Sequence, residues 1–291
     1  MAIKIESADA IVTVNEHGAE LVSFIDKATG KEYMWSGDAK YWGRHAPVLF
    51  PIVGRLKDDI YKVDGQEYHL SQHGFARDLN FEILNQSKNH AIFELHSSDE
   101  TKEVYPFDFI LRIGFELTGR SLKVDYQVEN PSNEKIWFGI GGHPAFAVPM
   151  DDKHYYDDYQ ISLSPKATRN IIPLKGAYTD IDNSKEERES EIAINHELFK
   201  NDAVIFDLAE EPTEIELSNN EHQHGVKLNV FDAKYVGVWS SYPQEGQFVC
   251  LEPWWGLADT VNSDQDFKHK FASNELDGHQ TFNSSYQITI F

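Results

Sequence analysis

Four short stretches of this chain gather side chains able to do chemistry. They are Phe50-Pro51-Ile52-Val53-Gly54-Arg55, Gln72-His73-Gly74-Phe75-Ala76-Arg77, Gly141-Gly142-His143-Pro144-Ala145-Phe146 and Glu252-Pro253-Trp254-Trp255-Gly256-Leu257-Ala258-Asp259. Each adjoins a run of alternating apolar residues, and the ends of rigid strands are where functional side chains are usually held. Glu252 closes the apolar run Phe248–Leu251 and precedes a proline, so it is a candidate general base at a strand end. Taken alone, a solvated strand-end glutamate is the better reading. His143 follows two glycines and precedes a proline, which pins its backbone and lets the chain approach a ligand closely. It is a candidate proton donor near neutral pH, and a turn histidine bonded to backbone accounts for the motif equally well. Arg55 can fork onto sugar hydroxyls or a carboxylate, or lie on the surface. His73 and Arg77 flank a turn, and each alone reads as structural or solvated. Trp254 and Trp255 offer flat apolar faces suited to the C–H side of a pyranose, and one of the two is expected in the core.

Other site types do worse. His69 and His73 stand four apart, but on a strand and its turn, so they do not make a helical metal pair. His222-Gln223-His224 resembles the start of a cupin metal motif, but no glutamate follows at the needed short distance. It lies in a polar turn and is expected to be solvated. No G-x-S-x-G, P-loop or strand–GxGxxG–helix signature is present. The single cysteine, Cys250, sits in an apolar run and reads as buried packing rather than a catalytic thiol. It permits no intrachain disulfide, which fits a reducing compartment.

The elements that must position these residues are strands. Phe107, Phe109, Leu111, Ile113, Phe115 and Leu117 alternate with polar residues, as do Leu122, Val124, Tyr126 and Val128. Alternation gives each strand one core face and one wet face, and Thr118-Gly119-Arg120-Ser121 joins the two runs as a hairpin. Asp64-Gly65 between Tyr61–Val63 and Gln66–Leu70 suits a type I′ turn. Further strands are expected at Ile11–Val14, Leu21–Ile25, Glu82–Leu84, Ala91–His96, Ile136–Ile140, Gln160–Leu163, Val204–Asp207, Glu214–Leu217, Val226–Val230, Val236–Trp239, Phe248–Leu251 and Tyr286–Phe291. Helix is expected only as a turn or two at Glu191–Phe199 and Asp264–Phe271, and Asp180–Glu191 reads as a surface loop. Many short strands with frequent turn signals mean an all-β sandwich or barrel. No repeat or linker divides the chain, so residues 1–291 read as one domain.

Composition narrows the partners. The chain is 41% hydrophobic and 13% aromatic over 291 residues, enough for a sizeable core. Its formal net charge of −22 repels phosphate backbones and anionic lipid, which argues against nucleic acid and membrane. An anionic small molecule stays possible, because salt screens charges beyond about 8–10 Å. The N-terminus has no long apolar signal segment, and no run approaches the ~18 apolar residues of a membrane helix. A cytoplasmic protein is expected, as a monomer or small homo-oligomer, since the acidic surface disfavours close self-association at low salt.

Together the four motifs resemble the aldose 1-epimerase (galactose mutarotase-like) family, and most closely its LacX-like branch. The resemblance runs over nearly the whole chain, through Gly278-His279-Gln280-Thr281-Phe282. It implies a large antiparallel β-supersandwich with the site in a groove on one face. It also implies sugar binding by Arg55 of a Pro-x-x-Gly-Arg element and by His73 of a His-Gly-Phe element, with His143 of a Gly-x-His-Pro-x-Phe element as the acid and Glu252 as the base. Asp202, before Ala203–Asp207, is the best match to the family's substrate-binding aspartate. Phe50 stands where many relatives have asparagine, as in the hexose-6-phosphate and LacX-like branches. The implied reaction interconverts α and β anomers of a hexose or hexose 6-phosphate without metal or organic cofactor. Glu252 takes the C1 hydroxyl proton and His143 supplies one to the ring oxygen; C1–C2 then rotates and the ring closes. Ordinary pKa values of about 4.3 and 6.5 suit an ionised base and a protonatable acid. Arg55 and Arg77 could hold a 6-phosphate, unless Arg77 pairs with Asp78. Two alternatives stay open: a non-catalytic carbohydrate-binding protein, and a glycoside hydrolase or lyase pairing Glu252 with Asp259 or Asp202.

Overall fold

Period-2 alternation folds as strands throughout, and two antiparallel sheets carry most of them. The computed structural model describes residues 1–291. One sheet has nine strands, in the order Glu191–Ala193, Tyr159–Ser164, Thr213–Asn219, Gly225–Val230, Thr281–Ile290, Ser121–Glu129, Ile110–Thr118, His90–His96 and Glu82–Gln86. At its centre Leu122, Val124, Tyr126 and Val128 face Leu117, Phe115, Ile113 and Leu111 across the ladder. All eight are buried, as the alternation requires.

The other sheet has eight strands and carries the site. Its path is Lys185–Glu187, Arg169–Ile172, Val204–Asp207, Tyr235–Trp239, Phe248–Trp255, Ile140–Gly142 and Val48–Leu49, with Ala145–Ala147 also paired to Phe248–Trp255. The two faces of this sheet do different things. Val249, Leu251 and Trp255 join a 62-residue core shared with the nine-stranded sheet. The alternate residues Phe248, Cys250 and Trp254 belong to two smaller apolar clusters on the opposite face. Glu252 shares that opposite face by the same alternation.

Three further strands, Ala2–Glu6, Ala10–Asn15 and Glu20–Asp26, form a separate antiparallel sheet. Asp64 (φ 51°) and Gly65 (φ 82°) adopt the left-handed backbone that a type I′ hairpin needs.

Several sequence expectations are corrected. The strand expected at Phe248–Leu251 runs on to Trp255, so Glu252 sits inside a strand and not at its end. Pro253 is tolerated there opposite Val236. The single strand expected at Ile136–Ile140 is two, broken at Gly139, whose N–H donates to Pro51 O at 2.7 Å. Phe107 and Phe109 precede the strand Ile110–Thr118. The helical turns expected over Glu191–Phe199 give way to a strand, Glu191–Ala193, paired with Gln160–Ser162, and one 3₁₀ turn, His196–Phe199. At Asp264–Phe271 only the 3₁₀ turn Phe267–His269 forms. So short an isolated helix is marginal, and at Glu191–Ala193 ladder pairing outcompetes it. The surface loop expected at Asp180–Glu191 contains a strand, Lys185–Glu187, paired with Arg169–Ile171. The one α-helix, Asp99–Val104, was not anticipated, although Ser98 and Thr101 close a capping box at its start.

Candidate active site

Strand register brings Glu252 and His143 together. Gly141 faces Trp254 and Ala145 faces Cys250 across one antiparallel ladder, so His143 stands opposite Glu252. The prolines beside them, Pro144 and Pro253, lack the N–H that would continue the ladder, but Leu251 N–H still donates to Pro144 O at 3.1 Å. The result is a cross-strand pair held by backbone on both sides, with His143 Nε2 3.1 Å from Glu252 Oε2.

The glycines of the His143 motif serve packing more than ligand approach. A Cβ on Gly141 would lie 2.7 Å from the Trp254 ring, and one on Gly142 would lie 2.9 Å from the Tyr126 and Tyr286 hydroxyls. Gly237, on the strand beyond Glu252, would likewise bring a Cβ within 2.5 Å of the Trp254 ring. Trp254 therefore lies flat across two glycine backbones and lines the groove, while Trp255 points into the core and donates to Asp232 O at 3.1 Å.

The groove holds a cavity of about 530 Å³ lined by Arg55, His73, Arg77, His143, Asp202, Glu252 and Trp254, every residue to which the sequence assigned a part in anomer exchange. Arg55 reaches it with its guanidinium already forked onto Asp59, at 2.8 and 3.0 Å. His73 has a left-handed backbone (φ 68°), and its Nδ1 accepts Gly54 N–H at 3.1 Å. That bond leaves the proton on Nε2, so His73 is fixed as a neutral donor, and burial further lowers its basicity. Arg77 donates from Nη2 to Gln72 O at 2.5 Å, but its buried Nε has no hydrogen-bond partner. Arg77 Nε keeps a long ion pair with Asp78 Oδ2 at 3.7 Å, as the sequence allowed, while Arg44 Nη2 bonds the other oxygen, Oδ1, at 2.8 Å. Burial, with Arg44 nearby, lowers the Arg77 guanidinium to about 10. Asp202 (φ 74°) accepts Ala203 N–H at 2.9 Å. It is exposed to the groove yet crowded by its walls, which pushes its carboxyl up. Asp259 does not line the cavity: it is buried against Lys270 Nζ at 3.2 Å.

Burial reverses the charge states expected of the central pair. It pushes the Glu252 carboxyl well above its usual range, and the Asp202 charge adds to this; the Trp254 indole opposes it. Burial also pushes the His143 imidazole down to about 3, aided by the Arg77 and Arg44 charges. Both groups are driven toward neutrality, and Glu252 Oε2 and His143 Nδ1 have no aligned hydrogen-bond partner. The ordinary pKa values of the two residue types therefore do not describe this site.

Motif reading missed an aromatic box. Trp42 stacks on the His143 ring at 4.7 Å and 23°, and Trp239 meets it edge-on at 5.6 Å and 78°. Trp35 Nε1 holds Trp42 in place by donating to its carbonyl at 2.9 Å. Both box residues line the cavity, as do Lys200 and Tyr242. A wall of tryptophans above a buried acid–base pair and an arginine-lined rim suits a polyhydroxylated ring with one apolar face.

The sequence profile of the aldose 1-epimerase family matches residues 1–273. The chain belongs to the aldose 1-epimerase family. It is similar to a solved galactose mutarotase-related enzyme of Lactobacillus acidophilus, with 40% identity over 100% of this chain and 97% of that one, at a TM-score of 0.98. A galactose mutarotase-like protein of Lactobacillus casei shares 30% identity, covers 100% of both chains and superposes with a TM-score of 0.92. The chromosomal LacX protein of Lactococcus lactis is 29% identical over 100% of this chain and 99% of that protein. The fold is thus the all-β, antiparallel architecture of the galactose mutarotase-like proteins, and this epimerase-family chain is an isomerase. No helix is long and apolar enough to cross a membrane.

Proposed function

We propose that this epimerase exchanges the α and β anomers of a hexose or hexose 6-phosphate, with Glu252 and His143 as the two proton partners. The observation that carries this reading is their 3.1 Å cross-strand contact at the wall of the cavity. The pair holds a single proton, and its neutral form is the resting state. Once the 3.1 Å Oε2–Nε2 contact aligns as a hydrogen bond, transfer of that proton from Glu252 to His143 arms base and acid together. Glu252 then takes the C1 hydroxyl proton while His143 protonates the ring oxygen. The ring opens, C1–C2 rotates, and the reverse transfers close it on the other face. Each proton partner contributes about 10²–10⁴-fold. His73 and Arg55 donate to sugar hydroxyls, Asp202 accepts from them, and Trp254 packs against the apolar sugar face.

Arg77 Nε, buried without a hydrogen bond and held only by the 3.7 Å ion pair with Asp78, favours a phosphorylated sugar, since a guanidinium fork matches phosphate oxygens. The enzyme is expected to act as one cytoplasmic domain, monomeric or in a small homo-oligomer. Exchange spectroscopy on glucose, galactose and their 6-phosphates tests the reaction and ranks the substrates. Arg77→Ala should weaken the phosphorylated sugar selectively. Equal losses for free and phosphorylated sugar would remove the phosphate role. Aglycone release from an aryl glycoside would instead favour hydrolysis by Glu252 and Asp202, because Asp259 is engaged by Lys270. Saturable sugar binding without exchange would leave a carbohydrate-binding protein.

A further inference from the structure

Cys250 lies beside the same pair and has no part in the proposed reaction. Strand alternation puts Cys250 and Glu252 on one face of Phe248–Trp255, and Ala145 faces Cys250 in the register. The ligand-capable atoms of His143, Cys250 and Glu252 all lie within 4.8 Å of one another, and all three residues are buried. One polar atom that faces this group, Glu252 Oε2, is buried without a hydrogen-bond partner. A buried polar atom left unpaired is costly, so the cluster gains from anything that satisfies it.

We infer that His143, Cys250 and Glu252 form an inhibitory site for a thiophilic divalent cation of the zinc class. One imidazole nitrogen, one thiolate and one carboxylate oxygen are donors zinc accepts, at about 2.0–2.3 Å. A tetrahedral set with such bonds spaces its donors roughly 3.5 Å apart. The Nε2–Oε2 separation of 3.1 Å is already near that value, and the thiol side, within 4.8 Å, has to close by up to about 1.3 Å to reach the same spacing. The charges also match. A thiolate and a carboxylate cancel the charge of the cation, so the occupied site is neutral in surroundings that disfavour net charge. Binding replaces the Cys250 thiol proton and the proton of the Glu252–His143 pair. Two protons leave as the cation enters, with no change of oxidation state. The fourth position faces the cavity and takes water. Magnesium, which demands octahedral oxygen ligands, does not fit. An occupied site removes both proton partners at once. The inhibition rests on the proposed reaction; the binding does not.

The test uses the whole protein and the fact that Cys250 is its only cysteine, so a sulfur-to-cadmium charge-transfer band in the ultraviolet reports this thiol. Wild type, Cys250→Ala and Cys250→Ser are titrated with Cd²⁺ and Zn²⁺ while anomer exchange is followed in the same samples. In wild type the band should saturate at one equivalent as exchange is lost, with reversal by a chelator and no response to Mg²⁺. Both variants should lack the band and keep wild-type exchange without metal. They should need at least roughly 10–100-fold more metal for inhibition, the loss typical when a metal site is weakened. No band in wild type, a band with exchange intact, or equal inhibition of wild type and variants would overturn the site. If wild type exchanges no sugar, the function reading fails. The band then decides alone: saturation in wild type and loss in Cys250→Ser uphold the site, and any other pattern rejects it.

Discussion

Glu252 shows how far a residue's surroundings can move it from its sequence-level chemistry. Its type and its place before a proline suggest a strand-end carboxylate, but it is 1% exposed within a strand. Its raised pKa has a sign that can be checked. A carboxyl whose folded pKa lies above its unfolded value supports folding below the ordinary carboxylate range, and that support is lost as pH rises through the folded pKa. His143 works the other way: its pKa is depressed to about 3, so its support is present above about 6.5 and lost on acidification. Glu252→Gln should therefore match wild-type stability near pH 5 and gain on it toward pH 8, by up to about 1.4 kcal/mol per pH unit. Denaturant midpoints at the two pH values check this, and a gap that does not change with pH would contradict a raised Glu252. The motif residues were legible because each carries its own local signature. Trp42 and Trp239 were not, because only the fold sets their rings against His143.

At the scale of elements, alternation predicted the strands and strand pairing supplied the site. The hairpin of Ile110–Thr118 with Ser121–Glu129 was legible because both strands alternate cleanly over nine residues. The Phe248–Trp255 strand was cut short because Pro253 reads as a stop and the following tryptophans break the alternation. The meeting of His143 and Glu252 depends on register between segments far apart in sequence, which no local pattern reveals. The same strands make Gly237 a sensitive position, since its Cβ would lie 2.5 Å from the Trp254 ring. Gly237→Ala should displace that ring, destabilise the protein by about 1–3 kcal/mol through overpacking, and reduce exchange. In a Trp254→Ala background the same change should cost much less, and a double-mutant cycle measures the difference. Additive effects would mean that Gly237 is not shaping the Trp254 wall.

At the scale of the whole molecule, the acidic balance and the chemistry of the groove are at odds. The chain carries −22 overall, yet Arg55, Arg77 and Lys200 line its cavity. Self-repulsion at that charge weakens the compact state and is screened by salt, the Debye length falling from about 30 Å at 0.01 M to about 10 Å at 0.1 M. The Tm should rise over that range in a thermal melt. A falling Tm would mean that surface networks such as Arg112 with Glu94 and Glu129 outweigh the net repulsion. The composition argues against anionic polymers as partners but is silent on the basic lining, because the total says nothing about where the arginines converge.

All three scales meet in Glu252, which burial, register and the groove together place at the proposed site. The decisive measurement is two-dimensional exchange NMR on equilibrated anomers of the sugar that wild type turns over best, run on wild type and Glu252→Gln. The account predicts enzyme-dependent exchange peaks in wild type and a loss of at least roughly 100-fold in the variant. The sugar resonances should still broaden with the variant, because the binding walls are intact. Near-wild-type exchange in folded Glu252→Gln would contradict the assignment of Glu252 as the base.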